Sequence, residues 1–425
     1  MRIARVDGSA ATGVSWGGQR AWAGVAAAGV LGVLGVLALG TLGATEGARP
    51  SRVWVFDPAS VADYAAVGAV EVVPSRYLAL RLRLMAMAGG GRPPTLAEVE
   101  VGSVGAGLLE GFEALGLPGA GPVGELRAGN WTWNGAVRAW PRDVHPVALL
   151  YREDLFRAAG EDVASWTTWD DLIAACRRYD AAAGAGRRSV EWPRSSASHV
   201  VMLMRQTGRL PRRAGEWRDE GLVELVSWYA KVSAEGVGRD AARRVDLLAE
   251  ELATGRTAAA VVADWRYGQL RRLLAGRPGT YRLRRLPAWR VGEAEQVPTW
   301  GGTGVGVPTQ RDAAAAAVAK DTLTELYADE SAWLARWERD AVVPPVATLW
   351  PRAADFADDG VVAGSAEMFA GLAGEVGWAA GVRLSLSEER QLAWVLYRAV
   401  GTAKAGGDVE AVVRAGLGAI AGGAR

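Results

Sequence analysis

From Ala21 to Ala44 the chain runs 24 residues without a charged side chain (AWAGVAAAGVLGVLGVLALGTLGA). As a helix at about 1.5 Å per residue it is roughly 36 Å long, enough to cross a hydrocarbon core of about 30 Å. Arg2, Arg5 and Arg20 precede it, and Glu46, Arg49 and Arg52 follow. The bias of positive charge predicts residues 1–20 in the cytosol and 21–44 as a transmembrane anchor. A signal peptide is the rival reading, with Ala38-Leu39-Gly40 as a small-x-small cleavage site. The length favours the uncleaved anchor. Either way the body of the chain is expected outside the cytoplasm, on the periplasmic face of the membrane or secreted if cleaved. No second apolar span follows, so the chain is not expected to be a permease itself.

The chemistry of the body is narrowed by what is scarce. A formal net charge of +1 gives no reason to expect nucleic acid as a partner. The single cysteine, Cys176, excludes an intrachain disulfide and a cysteine-built metal site, and leaves no cysteine near the N-terminus to carry a lipid. The two histidines, His145 and His199, are too far apart in sequence for a local metal motif. No metal and no cofactor are expected. Tryptophan is the exception, with 19 residues; indoles fill cores and also form flat platforms for sugar rings and cations.

The body alternates short β-type runs with longer amphipathic ones. Arg52 to Phe56, Val70 to Val73 and Glu98 to Val101 read as strands, with a helix from Tyr77 to Ala88 between the second and third. That βαβ order calls for a parallel sheet with right-handed crossovers. Thr168 and Asp171 form an approximate capping box for a helix that buries Trp169, Leu172, Ile173, Cys176 and Tyr179. Cys176 is therefore expected as a packing residue. Leu222, Leu225, Val226 and Tyr229 make a second stripe, and Ala258 to Val262 reads as a buried strand ending at Asp264. Ser387 is expected to cap a helix with Glu388 and Glu389 in its first turn, and Asp408 to open the last one.

No phosphate-binding loop, nucleophile elbow, zinc-protease motif or EF-hand spacing occurs. Gly119 to Gly124 fits G-x-G-x-x-G but joins no strand to a helix, so it reads as a loop. The chain is not expected to be an enzyme. A secreted glycan-active hydrolase, which needs only two carboxylates, is the enzymatic alternative.

An ordered series of segments carries a family resemblance. Leu149-Leu-Tyr-Arg-Glu-Asp-Leu-Phe-Arg-Ala-Ala-Gly160 followed by Trp166-Thr-Thr-Trp-Asp-Asp-Leu172 resembles the hallmark stretch of extracellular solute-binding proteins of the sugar-binding family 1 type. Tyr151-Arg152 stands where that family usually has Tyr-Asn. Gly255-Arg-Thr-Ala-Ala-Ala-Val-Val262 and Trp300-Gly-Gly-Thr-Gly-Val-Gly-Val-Pro308 resemble two further strands of the family, and Pro141 to Pro146 sits where its chain enters the second lobe. The resemblance implies an α/β fold of type II periplasmic-binding-protein architecture. In it a solute is held between two lobes that close about a hinge. Lobe 1 would take residues 50–145 and 283–342, and lobe 2 residues 146–282 and 343–425. It also implies a sugar or oligosaccharide ligand, ABC permease subunits as partners in the membrane, and a monomer. A membrane-anchored sensor of the same fold is the alternative within the family.

Ligands of open α/β sheets sit beyond the carboxyl ends of strands, which singles out several residues. Asp264, Trp265 and Arg266 combine an anion, an indole and a guanidinium at one strand end. Trp300, Gly301, Gly302 and Thr303 offer an aromatic face beside backbone that a ligand can approach closely. Asp57, Ser103, Asp143, His145 and Trp350 complete the candidate contacts, with Trp131 and Trp133 as rim positions.

Overall fold

The computed structural model describes residues 51–74, 77–78, 80–82, 92–101, 108–116, 128–194, 196–240, 244–293, 296–376 and 384–423. The apolar run at 21–44, Ser103, the loop 119–124 and most of the expected helix from Tyr77 to Ala88 lie outside them. Among the described residues no helix is long and apolar enough to cross a membrane.

Two sheets organise the chain. In the first, β1 (Arg52–Val55) pairs in parallel with β2 (Ala69–Val72) and β3 (Leu96–Glu100), as the βαβ order requires. The hairpin of β4 (Thr132–Trp133) and β5 (Ala136–Val137) stands apart, and β6 (Trp140–Pro141) closes the far edge of the first sheet. The second sheet is built on β7 (Val147–Arg152), which is flanked by β8 (Ala259–Ala263) and β9 (Tyr281–Arg285), both antiparallel. The chain then returns to the first sheet as β10 (Thr303–Gly306), antiparallel between β3 and β6. Because β9 belongs to the second sheet through Arg285, first-sheet pairing resumes at Thr303 and not from the expected 283.

The continuous apolar character of β7 has a simple cause. Alternate residues face opposite sides of a sheet, and here both sides are covered. Val147, Leu149 and Tyr151 enter one core, while Ala148 and Leu150 enter the other. Arg152 at its end is buried too, its guanidinium held by Asp154 at 2.8 Å and the Leu252 carbonyl at 2.7 Å, which accommodates the departure from Tyr-Asn. Strand β8 divides in the same way, Ala259, Val261 and Ala263 against Ala260 and Val262.

Helices supply the covering layers. Of those on the first core, α1 (Glu153–Ala158), α2 (Trp169–Ala182), α3 (Ser198–Gln206) and α4 (Glu220–Glu235), the second starts at the capping box of Thr168 and Asp171. Its stripe of Trp169, Leu172, Ile173, Cys176 and Tyr179 is buried, and burial pushes the Cys176 thiol up to about 12. On the other side lie α5 (Val245–Ala253) and α6 (Asp264–Leu274). Helix α7 (Ala313–Ala328) covers the first sheet through Ala319 and Leu323, and α8 (Glu330–Asp340) leads back to the second, where Trp337 is buried. The chain ends in α9 (Ser365–Gly374), α10 (Leu386–Lys404) and α11 (Val409–Gly423), all packed on the cores of the second sheet. The cap of α10 is Ser385, two residues before the expected Ser387, because Glu388 completes a capping box with it. Asp408 opens α11 as expected, accepting the Ala411 amide at 3.0 Å.

Candidate functional site

Three stretches of chain pass between the two sheets: 142–146, 298–303 and 341–344. Backbone bonds stitch them together. The Val144 amide donates to the Val343 carbonyl at 3.3 Å, the Trp300 amide to His145 at 3.1 Å, and the Arg142 amide to Thr303 at 2.8 Å. Side chains then lock the crossing. His145 lies between two carboxylates, Nδ1 at 2.6 Å from Asp264 and Nε2 at 3.0 Å from Asp143. Asp143 also accepts the Thr303 amide at 2.9 Å. Asp264 accepts the Trp265 amide at 2.7 Å and the Val343 amide at 2.8 Å. One imidazole and two carboxylates therefore tie all three segments to the end of β8.

The electrostatics follow from that arrangement. Burial alone would lower the basicity of His145, but Asp143 and Asp264 outweigh it and push its pKa up to about 9. The ring is protonated at neutral pH, with Nδ1 donating to Asp264 and Nε2 ion-paired with Asp143. His145 also has φ of 55°, in the left-handed region that costs a residue with a side chain about 1–2 kcal/mol. The charge-assisted bond to Asp264 and the ion pair with Asp143 offset that cost.

Beside this junction lies an aromatic wall. The indole N–H of Trp265 donates to the Trp300 carbonyl at 3.1 Å, and their rings meet edge to face at 6.1 Å. Both are half-buried on the edge of the larger core. Behind Trp300, the guanidinium of Arg266 lies 5.5 Å from its ring and makes two bonds to Glu191, at 2.6 and 2.7 Å. His199 at the start of α3 packs edge-on to Trp300 at 5.4 Å and to Trp192 at 6.2 Å. Burial, with Arg266 nearby, pushes its pKa down to about 3, so this imidazole is neutral. Much of the tryptophan excess goes here: Trp192 continues to Trp228 at 6.0 Å, and Trp228 to Trp289 at 5.0 Å. The wall sets two half-buried indoles beside glycine backbone, with the ions around it paired internally. Among the described residues no group of three or more His, Cys, Asp or Glu is placed to hold a metal ion.

The profile of the bacterial extracellular solute-binding protein family matches residues 61–363. The chain belongs to that family. Its body is accordingly extracytoplasmic, and the family is one of binding proteins and not of enzymes. No curated protein matches the sequence. Among solved structures, the GacH receptor of Streptomyces glaucescens superposes with a TM-score of 0.64 at 15% identity, over 88% of this chain and 97% of that one. The sugar-binding protein MalE of Xanthomonas citri gives 0.65 at 15%, over 88% and 96%. An ABC transporter solute-binding protein of Thermotoga lettingae, solved with α-D-tagatose, gives 0.64 at 14%, over 88% and 100%. At such identities the likeness establishes the fold, a two-lobed α/β architecture of the maltose-binding type.

In this solute-binding protein the sequence candidates separate into groups. Asp143, His145, Asp264 and Thr303 come together, but as the crossing itself: all are buried, and both aspartates lose their exposure completely. Arg266 is spent on Glu191. Gly301, with φ of 86°, turns the chain beside Trp265 and His145, while Gly302 accepts the Val101 amide at 2.8 Å. Trp350 donates to Pro344 at 2.9 Å and packs on the opposite core, away from the aromatic wall. Asp57 caps a short 3-10 turn through the Ala59 amide at 2.9 Å. Trp131 is a core residue and not a rim contact: a side chain at Gly304 would come within 2.7 Å of its ring. Trp133 packs half-buried on that same core.

Several participants carried no sequence signal. Glu191 and His199 lie in stretches without a motif. Arg142 is buried against Asp63, Glu98 and the face of Tyr64, with Arg336 and Arg339 also on Asp63, and so fixes where the first crossing leaves the first sheet. Glu389 in the first turn of α10 has its pKa raised by burial, with Glu100 at the end of β3 adding to the rise and Arg205 opposing it. The second sheet's last helices thus bring a carboxyl group close to a strand end of the first.

Proposed function

We propose that this protein is the receptor of an ABC-type importer, binding a sugar or oligosaccharide between its lobes and passing it to a membrane permease. The observation that carries the reading is the adjacency of the aromatic wall to the crossing. Trp265 follows Asp264 directly, and the Trp300 amide is bonded to the His145 carbonyl. A ring stacked on either indole acts on residues one bond from the hinge, so occupancy and closure are linked. Trp265, Trp300 and Gly301 are the proposed contacts from this side, with the indole faces stacking on the sugar. Asp143, His145, Asp264 and Thr303 set the hinge, and Arg266 braces Trp300 from behind. Neighbours of the same fold solved with tagatose or maltotetraose support a carbohydrate ligand. In this reading the charge-free run at 21–44 tethers the receptor, as a monomer, to the membrane.

The test is a titration of tryptophan emission with mono- and oligosaccharides, repeated by calorimetry. Saturable binding at micromolar ligand, without turnover, is expected. Silence across the panel from a folded protein ends the sugar reading and leaves the family assignment intact.

A further inference from the structure

The outer face of α10 combines exposed aromatic rings with exposed cations. Its inner face buries Leu392, Val395, Leu396 and Ala399 in the larger core. Outside, Trp394 and Tyr397 stack with rings 5.4 Å apart and 17° from parallel, yet they stay 60% and 64% exposed. At 100° per residue, Arg390, Trp394, Tyr397, Arg398, Gly401 and Lys404 fall on one stripe about 120° wide. Glu388 and Glu389 lie on the far side of the helix. Of the next acids along the chain, Asp408 caps α11 and Glu410 pairs with Lys231. Arg390, Arg398 and Lys404 are exposed and form no ion pair among the described residues.

We infer that this face rests on the anionic surface of the membrane. Tryptophan and tyrosine with arginine and lysine is the composition that favours the headgroup layer: the rings sit at the interface and the cations meet lipid phosphates. A straight stripe on one helix matches a plane better than it matches a concave partner. Each cation adds about fivefold to such partitioning. Three of them give a weak contact suited to orienting a tethered body rather than to recruiting a free one. The inference is independent of which solute is bound.

The test uses the full chain with Gly401→Cys, a position where an added side chain meets nothing within 4 Å. The native Cys176 is buried, so an environment-sensitive thiol dye goes to residue 401. Vesicles of phosphatidylcholine alone are compared with equimolar phosphatidylcholine and phosphatidylglycerol. The expected result is dehydration of the dye on the anionic vesicles, reversed by salt. Arg390→Glu, Arg398→Glu and Lys404→Glu together should shift the docked-to-free ratio on the order of 100-fold, and Trp394→Ala should shift it with sugar affinity unchanged. Equal emission on both vesicle types, or a charge-reversed chain that docks as well as the native one, overturns the inference. So does dehydration seen only after solubilised membrane proteins are added, which would give the face to a protein partner.

Discussion

The crossing and the aromatic wall adjoin each other, and each holds one of the chain's two histidines. Both rings are buried, His145 with 6% and His199 with 1% of its surface left. Their charge states are nonetheless opposite, one pushed up to about 9 and the other down to about 3. Burial favours the neutral ring at both; at His199 it prevails, with Arg266 beside it, whereas at His145 two carboxylates outweigh it. Two carboxylates make the crossing a lattice of directed bonds that fixes distances and angles. Indoles make the wall a packed surface, where contacts are numerous and individually weak. The first suits a hinge that must return to the same geometry. The second would suit, in the proposed receptor, a face that adapts to a ligand.

The sharpest way to break the contrast is to remove the anion at its centre. Asp264→Ala leaves His145 with one carboxylate and frees two backbone amides, so a loss of about 3–5 kcal/mol is expected. Denaturant unfolding measures it, and a loss below about 1 kcal/mol would mean that the lattice does not hold the crossing. Next in size is the pH dependence. The folded pKa of His145 is raised above its ordinary 6.5, so its stabilisation is complete below 6.5 and is lost as pH rises through about 9. At about 1.36 kcal/mol per unit, the change is on the order of 3 kcal/mol. His145→Asn should flatten the stability profile across that window; an unchanged slope would take the proton away from this ring.

How much of this could be read from the sequence depended on the range of each interaction. The uninterrupted apolar run of β7, the cap at Thr168 and the stripe on α2 are local, and residues a few positions apart suffice to show them. The parallel order of β1, β2 and β3 followed from strands alternating with a helical run. The crossing is of another kind. His145 and Asp264 are 119 residues apart, Asp143 and Thr303 160, and Asp264 and Val343 79. Strand-end position marked most of these side chains as noteworthy but could not tell a group facing a ligand from one spent on its own backbone. Glu191 shows the same limit, since its partner Arg266 is 75 residues away. The Trp count pointed to aromatic platforms, yet only the fold separates Trp192 in the core from Trp265 and Trp300 at its edge.

Smaller effects sharpen the other half of the comparison. Trp265→Ala should weaken sugar binding about tenfold or more, roughly 1.4 kcal/mol, at a modest cost in stability because the indole is only partly buried at the edge of the core. Unchanged affinity by calorimetry would remove Trp265 from the site. Trp300→Ala should cost similar affinity and more stability, because Trp300 covers both His199 and Arg266.

The smallest effect at neutral pH is expected at His199. Neither of its ring nitrogens has a hydrogen-bond partner among the described residues. Replacing the imidazole with the apolar ring of His199→Phe removes buried polar atoms and keeps the edge contacts to Trp192 and Trp300, so stability at pH 7 should move by no more than about 1 kcal/mol. In acid the two proteins should part. With its folded pKa depressed, His199 contributes stability that is present above 6.5 and lost as pH falls towards 3. The phenylalanine variant lacks that loss and should outlast the native chain at pH 4–5 in thermal unfolding. If both chains weaken in parallel through that range, the wall does not hold a neutral histidine, and the opposition between the two sites collapses to a difference in packing alone.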